Sequence, residues 1–158
     1  MNRIFNQDKL SAALLSALTP LVLVLIANAL IFATGWMDQT SAFERLSFAP
    51  PGWFVGLMWT LIYPMWGLAR WRVGRKETAA GGKASLTLIW LMIWGFLYTL
   101  ITGPTGPEVS AICNVLSLIF ALGAFVSAWP ADKIAGYLIL PSIGWITFAN
   151  VLGFLALG

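Results

Sequence analysis

The sequence predicts an all-α integral membrane protein, and three observations on composition and patterning support this fold class. Hydrophobic residues make up 59% of the 158-residue chain, charged residues only 9%, and the mean hydropathy is +0.85. A soluble domain carries about 25% charged residues, so this chain is suited to a bilayer. The charges also leave five long uncharged stretches, each exceeding the roughly 20 residues that a membrane-spanning helix needs.

Continuous apolar runs, rather than short alternating segments, carry this pattern. They favour a five-transmembrane-helix bundle over a β-barrel. The length of the chain allows one membrane domain, residues 1–158. The predicted spans are residues 11–34, 50–70, 84–103, 108–129 and 133–156.

The first two spans are delimited by charge and by proline. Arg3 and Lys9 precede the first span as they would precede a signal peptide. Its apolar run is too long for a signal core and no small-x-small cleavage site follows, so we expect a retained helix. The second span begins at Pro50 and Pro51, which suit the first turn of a helix, where a missing N–H would be unpaired anyway.

Turn residues delimit the last three spans. A Gly- and Pro-rich run over residues 103–107 predicts a tight turn from the third span into the fourth. A second turn, residues 130–133, leads into the fifth span. Pro141 lies in the middle of that span, where it frees the carbonyl of Tyr137 and predicts a bend, either as a packing kink or at a cavity.

Basic residues are concentrated on one side of the predicted topology. With five spans, the N-terminus, the 70–83 loop and the 130–133 turn share a side that holds eight of the nine Lys and Arg residues. The opposite side holds only Arg45. Basic residues flank spans on the cytoplasmic side. We therefore expect a protein of the cytoplasmic (inner) membrane with a cytoplasmic N-terminus and an outward-facing C-terminus.

The missing residue types exclude several function classes. The chain has no His and a single Cys, Cys113, so a Ser–His or Cys–His nucleophile, an internal disulfide and a thiolate metal cluster are all excluded. No Asp, Glu, Lys or Arg lies in the interior of a predicted span, away from its end residues, which argues against ion-coupled transport. No basic face suggests a nucleic-acid partner, and neither a metal nor a required cofactor is indicated.

The nine tryptophans are the main candidates for function. Trp59, Tyr63 and Trp66 are spaced by four and then three residues, which places them on one helical face, and Trp90 and Trp94 share another face. Indoles near span ends commonly sit at the headgroup level. The deeper ones either pack between helices or line a slot for a planar hydrophobic ligand.

Two motifs resemble the signatures of a known family. They are Ala49-Pro50-Pro51-Gly52-Trp53-Phe54, followed by Trp59-Thr60-Leu61-Ile62-Tyr63 and Gly67, and the run from Leu140 to Leu152, LPSIGWITFANVL. Together they resemble the TspO/MBR family, which includes bacterial tryptophan-rich sensory proteins and the mitochondrial translocator protein, or peripheral benzodiazepine receptor. The resemblance covers about residues 43–155.

The resemblance implies a five-helix bundle, often dimeric, with a pocket closed by the loop between the first two helices. It implies porphyrins or other tetrapyrroles, sterols and benzodiazepine-type compounds as ligands. The resemblance also implies ligand-binding residues, which we carry over by position. They include two positions, 48 and 91, at which this chain departs from the family. The residues are Phe48, Pro50, Pro51, Trp53, Trp59, Tyr63, Leu91, Trp94, Trp145, Phe148 and Ala149.

This chain departs from the family pattern at four positions. Phe48 stands where a Trp is usual, Leu91 and Gly153 replace Asn, and Ser142 replaces the Tyr of a Pro-Tyr pair. These changes remove polar groups from the implied pocket and favour a more apolar ligand. The cholesterol motif proposed for the mitochondrial member, a Tyr followed by a basic residue, is also missing from the last helix.

Three hypotheses of function follow. The first is a non-enzymatic membrane receptor or sensor that binds a porphyrin or similar ligand under the 35–49 loop and acts in its transport or regulation. The second is a structural or assembly subunit of a larger membrane pigment complex. The third is a light-dependent porphyrin-degrading enzyme that uses Trp145.

The sequence also permits a homodimer. Pairs of small residues, such as Gly52 and Gly56, allow close contact between helices.

Overall fold

The structure is a computed structural model that describes residues 10–35 and 46–157. The described residues form five α-helices and no strand. The helices are α1 Leu10–Thr34, α2 Gly52–Gly74, α3 Ala79–Thr102, α4 Pro107–Ala131 and α5 Lys133–Leu157. The predicted all-α, five-helix fold is thus confirmed, with helix ends that lie within five residues of the predicted span limits.

Four of these helices, α1, α3, α4 and α5, are long and apolar enough to cross a membrane. The helix α2 is not among them, although it has 23 residues. Its four tryptophans, its tyrosine and its proline lower its hydropathy. It contains Arg70, at the predicted limit, and extends four residues past that limit to include Arg72. Ionisable side chains therefore occupy the last turns of α2, which the sequence had placed at or beyond the end of the span.

The helix α2 is the centre of the bundle. It packs against α1, α3 and α5, while α4 packs against α3 and α5. Its buried residues are Ile62, Tyr63, Trp66, Gly67, Ala69 and Val73. Between α4 and α5 the core is built from small side chains, since Ala124, Ala128 and Ala135 are fully buried. Small residues let membrane helices approach closely, which gains packing contacts that lipid cannot replace.

Helix ends follow the turn chemistry of the sequence. Pro51 is the extended N-cap of α2 and Pro107 is the first residue of α4, so prolines open both helices as expected. The helix α3 begins five residues earlier than predicted because Thr78 caps it, with Thr78 Oγ1 accepting from the N–H of Gly81 at 3.1 Å. Lys83 therefore lies within α3 and does not mark its start.

Small residues of the kind that permit close helix contact lie both inside the bundle and on its surface. A Cβ at Gly56 would contact Asn28 of α1, and one at Gly153 would contact Asn114 of α4, so both glycines serve contacts within the bundle. Gly123 has open space around it. A homodimer remains a prediction.

Candidate functional site

The first half of α2 and the second half of α5 meet in a run of four aromatic side chains. Trp53 packs edge-to-face on Phe54, with ring centroids 5.7 Å apart, and Phe54 meets Trp145 of α5 at 6.0 Å. Trp145 then lies 5.7 Å from Phe148. We call these four side chains the α2/α5 aromatic run. Trp53 is exposed, while the other three are half-buried, so the run continues from the bundle surface inward.

A second group of rings, the α2 aromatic cluster, consists of Trp59, Tyr63 and Trp66. Trp59 makes edge-to-face contacts with both others at 6.1 Å, and Tyr63 lies 4.8 Å from Trp66. The predicted one-face spacing of these three rings is thus realised. Tyr63 and Trp66 are buried, and Trp59 is half-buried against the core. A Cβ at Gly95 of α3 would lie 2.5 Å from Tyr63 Oη, so this cluster needs a glycine opposite it.

A hydrogen bond joins the α2 aromatic cluster to α5. The indole Nε1–H of Trp66 donates to Ser142 Oγ at 3.0 Å, and that hydroxyl donates to the carbonyl of Ile139 at 2.6 Å. Both side chains are about 1% exposed. A buried indole N–H without a partner is costly. Ser142, one of the departures from the family pattern, therefore supplies the acceptor that the buried Trp66 requires.

Other predicted site residues lie elsewhere in the bundle. Trp94 turns towards α4, where its Nε1–H donates to Ser117 Oγ at 2.8 Å and its ring stacks on Phe120 at 5.3 Å. Leu91 is about 1% exposed, within the core. Ala149 accepts a long hydrogen bond of 3.5 Å from Asn114 Nδ2. The structure therefore brings Trp53, Trp145 and Phe148 together through Phe54, and it directs Trp94 towards a different helix.

Three residues of the predicted pocket opening lie close to the start of α2. Phe48 and Pro51 are exposed and Pro50 is half-buried, all close to the start of α2. Residues 36–45 of the loop that the prediction places above the pocket, Trp36 among them, lie outside the described residues. That these side chains bind a ligand stays a prediction.

Sequence reasoning missed Phe54, the side chain that connects the two helices in the aromatic run. It lies in the quoted motif, but a helix rotates about 100° per residue, so Phe54 sits roughly 140° around α2 from Trp59. The four- and three-residue spacing that identified the other rings therefore could not include it. Its position after the Pro-Pro-Gly-Trp sequence was the available signal.

Two cavities among the described residues lie away from the aromatic run. One, of about 610 Å³, lies between α1, α2 and α3 and is lined by apolar side chains and Arg70. The other, of about 500 Å³, is at the turn between α4 and α5 beside Arg72 and Lys76. None of the predicted ligand-binding residues lines either cavity. Within the described part of the chain, no group of His, Cys, Asp or Glu could hold a metal ion.

A charged junction, also missed by sequence reasoning, closes the opposite end of the bundle. Arg72 Nε and Nη2 donate to the two carboxylate oxygens of Asp132 at 3.0 and 3.1 Å, and Lys76 Nζ lies 3.6 Å away. The N–H of Ala135 donates to the same carboxylate at 3.0 Å. We call these four residues the Asp132 junction. It ties the end of α2 to the turn between α4 and α5.

The charge state of Asp132 follows from these contacts. Burial by itself would raise the pKa of the carboxyl group. The hydrogen bonds from Arg72 and from the N–H of Ala135, with the positive charges of Arg72 and Lys76, outweigh burial and lower the pKa below its ordinary value. Asp132 therefore carries its negative charge near neutral pH and also caps α5, which places an anion at the positive end of that helix.

Comparison with known proteins identifies the family. The model of the TspO/MBR family matches residues 5–156. The tryptophan-rich protein TspO of Archaeoglobus fulgidus is 30% identical over 155 residues, which are 94% of this chain and 95% of that protein. Protein CrtK of Rhodobacter capsulatus is 25% identical over 81% of each chain. Translocator protein 2 of Mus musculus is 28% identical over 69% of this chain and 70% of its own.

The match to the family model extends over both family motifs and over the helices between them. These matches confirm the resemblance found in the sequence, and the helices of the structure agree with a multi-pass protein embedded in a lipid bilayer. The chain belongs to the TspO/MBR family of membrane proteins.

Proposed function

We propose that this protein is a membrane receptor or sensor for a planar hydrophobic ligand of the porphyrin type. The ligand would bind at the α2/α5 aromatic run, beside the start of α2, which follows the 35–49 segment in the sequence. The observation that carries the proposal is the continuity of the run: Trp53 is 64% exposed, and successive ring contacts of about 6 Å lead from it to Phe148. Flat, half-buried rings can separate to stack on a planar guest.

The residues that face this region suit a mostly apolar ligand. The aromatic run contains a single kind of polar group, the indole N–H of its two tryptophans, and Phe48 adds another apolar ring at the start of α2. Indole N–H groups donate hydrogen bonds and cannot accept them. The proposed ligand therefore presents an acceptor, such as a carboxylate at its edge, to Trp145 or Trp53, and its ring system to the other side chains.

A titration of intrinsic fluorescence with protoporphyrin IX tests this proposal. We expect saturable quenching by the wild-type protein and an affinity at least several-fold lower for Trp145→Phe. The matched control is Trp90→Phe, which removes one emitting indole from a side chain that is 53% exposed on α3, away from the aromatic run. Equal affinities for the two variants would contradict the proposed site.

The same titration separates the other hypotheses. The absence of any saturable response would favour the structural or assembly subunit. Loss of porphyrin absorbance under light, with a distinct product that Trp145→Phe fails to form, would indicate the light-dependent enzyme. Binding in the dark without turnover in either condition is the result expected of a receptor.

We further propose that the end carrying the Asp132 junction faces the cytoplasm. Arg70, Arg72, Lys76, Lys83 and Lys133 lie at the end of α2, the start of α3 and the α4–α5 turn, and consecutive antiparallel helices bring these positions to one end. This distribution supports a cytoplasmic N-terminus. Activity of a periplasmic reporter enzyme fused after residue 158, and inactivity of the same reporter fused after Lys76, would support this orientation; the reverse would contradict it.

A further inference from the structure

We propose that the groove between α1, α2 and α3 is a binding site for one anionic phospholipid of the surrounding bilayer. The lipid phosphate would pair with Arg70, and an acyl chain would lie along the groove. This site is separate from the aromatic run and does not depend on the function proposed above. Its volume is about 610 Å³, and its lining combines one basic side chain with a mostly apolar wall.

The polar groups are gathered at one end of the groove. Gly67 of α2 lies against the backbone of Ser16 in α1. Arg70, three residues further along α2, is therefore about 4.5 Å nearer the end of the bundle than that contact. Ser16, Thr19 and Ser85 line the same cavity as Arg70, and the hydroxyl of Thr19 already donates to the carbonyl of Leu15. Beyond them towards the bilayer centre the lining becomes apolar, with Leu23, Ile89, Met92, Ile93 and Phe96.

Arg70 carries a polar group that has no hydrogen-bond partner among residues 10–35 and 46–157. Its Nε is inaccessible to solvent and makes no hydrogen bond among the described residues. Arg72, two residues away, is by contrast paired with Asp132 in a two-pronged contact. A buried guanidinium nitrogen without an acceptor is unfavourable, and phosphate oxygens match the donor geometry of arginine closely. An anionic ligand in the groove, which Arg70 lines, would give this side chain an acceptor once the guanidinium turns towards the phosphate.

The length and the openness of the groove fit a lipid from one leaflet. Its lining on α1 runs from Ala12 to Leu23, which at 1.5 Å per residue is about 17 Å, close to half of the roughly 30 Å hydrocarbon core. Leu15, Ile93 and Leu97 line the groove and are 42–49% exposed, so its mouth opens onto the surface that faces lipid. An acyl chain can therefore enter sideways from the bilayer.

Native mass spectrometry of the purified full chain tests the proposal with two lipids of equal acyl composition, dioleoyl phosphatidylglycerol and dioleoyl phosphatidylcholine. We expect one retained phosphatidylglycerol per chain and weaker retention of phosphatidylcholine. Arg70→Gln should lower phosphatidylglycerol affinity about fivefold, as expected for one cation at a membrane surface. Arg70→Lys, which restores the charge, should recover much of it. Equal retention of the two lipids by the wild type would overturn the proposal.

The matched control is Lys83→Gln, which removes the same charge from an exposed position on α3 outside the groove. It should leave phosphatidylglycerol retention unchanged. A loss equal to that of Arg70→Gln would mean that general charge attraction, and not this site, selects the lipid.

Ile93→Trp, which fills the groove without changing any charge, should displace the lipid while the protein stays folded. Retention of the lipid by this variant would place it elsewhere.

Three further results would assign the groove to another occupant and overturn the proposal. Displacement of the lipid by millimolar inorganic phosphate alone would indicate an anion site without an acyl chain. A chain dimer that Ile93→Trp converts to monomers would indicate a second copy in the groove. Loss of protoporphyrin IX quenching in Arg70→Gln, with quenching kept in Trp145→Phe, would indicate that the porphyrin binds here.

Discussion

The two halves of α2 are held in the bundle by different kinds of contact. The second half is tightly fixed: Trp66 is hydrogen-bonded to Ser142, and Arg72 forms two hydrogen bonds with Asp132. Among the residues that the structure describes, the first half is joined to α1 only by long hydrogen bonds, from Asn28 Nδ2 to the carbonyl of Gly56 and to Thr60 Oγ1 at 3.3 Å. Its rings are exposed or half-buried. Regions with fewer buried contacts open more easily.

The less tightly held half of α2 is therefore the half that carries the proposed ligand site. The proposed receptor pocket would need side chains that can move apart without unfolding the bundle, and the less tightly held first half of α2 suits that need. The second half and the Asp132 junction provide the fixed frame. If this division is right, changes in the second half should mainly affect stability, and changes in the aromatic run should mainly affect binding.

The largest effect is expected from Gly67→Ala. A Cβ at this position would overlap the backbone carbonyl of Ser16 in α1, and backbone cannot move aside as a flexible side chain can. The matched control is Gly56→Ala on the same face of α2, where a Cβ would lie 3.5 Å from Asn28 Nδ2, an ordinary contact. We expect Gly67→Ala to cost about 3 kcal/mol or to prevent folding, and Gly56→Ala to cost less than about 1 kcal/mol.

Thermal unfolding in detergent measures both variants through Cys113. This residue is the only cysteine of the chain and it is buried, so a thiol-reactive dye reports its exposure on unfolding. Similar unfolding temperatures for Gly56→Ala and Gly67→Ala would remove the distinction between the two halves of α2.

The next largest effect is expected at Asp132. Asp132→Ala removes the partner of Arg72, the nearby counter-charge of Lys76 and the cap of α5 together. We expect a loss of about 2 to 3 kcal/mol, less than a fully buried pair would lose, because the Arg72 side chain is 29% exposed. Asp132→Asn keeps a capping side chain but loses the charge, so it should fall between the wild type and Asp132→Ala.

The dependence of this contribution on pH has a definite sign. The pKa of Asp132 is lower in the folded protein than its ordinary value of 3.8, so the charged form is favoured by folding. Its stabilising contribution is complete above that value and is lost as the pH falls through the lower, folded-state pKa. The difference in unfolding temperature between the wild type and Asp132→Asn should therefore shrink below about pH 4. A difference that grows on acidification would contradict the assignment.

The sequence predicted the number and order of the helices because those depend on local properties. Uncharged stretches longer than a bilayer, together with prolines at Pro51 and Pro107, are visible without any tertiary contact. Helix ends were less predictable, since a cap such as Thr78 starts α3 before the last charged residue of the loop. Reading charges alone therefore shortened α3 at its start and α2 at its end.

The contacts that fix the site could not be predicted in this way. Arg72 and Asp132 are 60 positions apart, and Trp66 and Ser142 are 76 positions apart, so their pairing depends on which helices become neighbours. The resemblance identified Ser142 only as the loss of a tyrosine. The structure gives it a role, because a small hydroxyl fits the space beside Trp66 and accepts its N–H.

The smallest effect is expected at Ser142. Its substitution tests whether the hydrogen bond between Trp66 of α2 and Ser142 of α5 stabilises the second half of α2. Ser142→Ala leaves the buried indole N–H of Trp66 unpaired and should cost about 1 kcal/mol. Trp66→Phe removes that donor but also some buried area, while the Ser142 hydroxyl keeps its bond to Ile139. In the double variant no unpaired N–H remains, so its loss of stability should be smaller than the sum of the two single losses. Additive losses would mean that packing alone holds the two helices together here, and that the contrast between the halves of α2 rests on Gly67 and Asp132.

Protoporphyrin IX affinity measured on Ser142→Ala completes the test. If the second half of α2 is a fixed frame separate from the aromatic run, the affinity should stay within about twofold of the wild type.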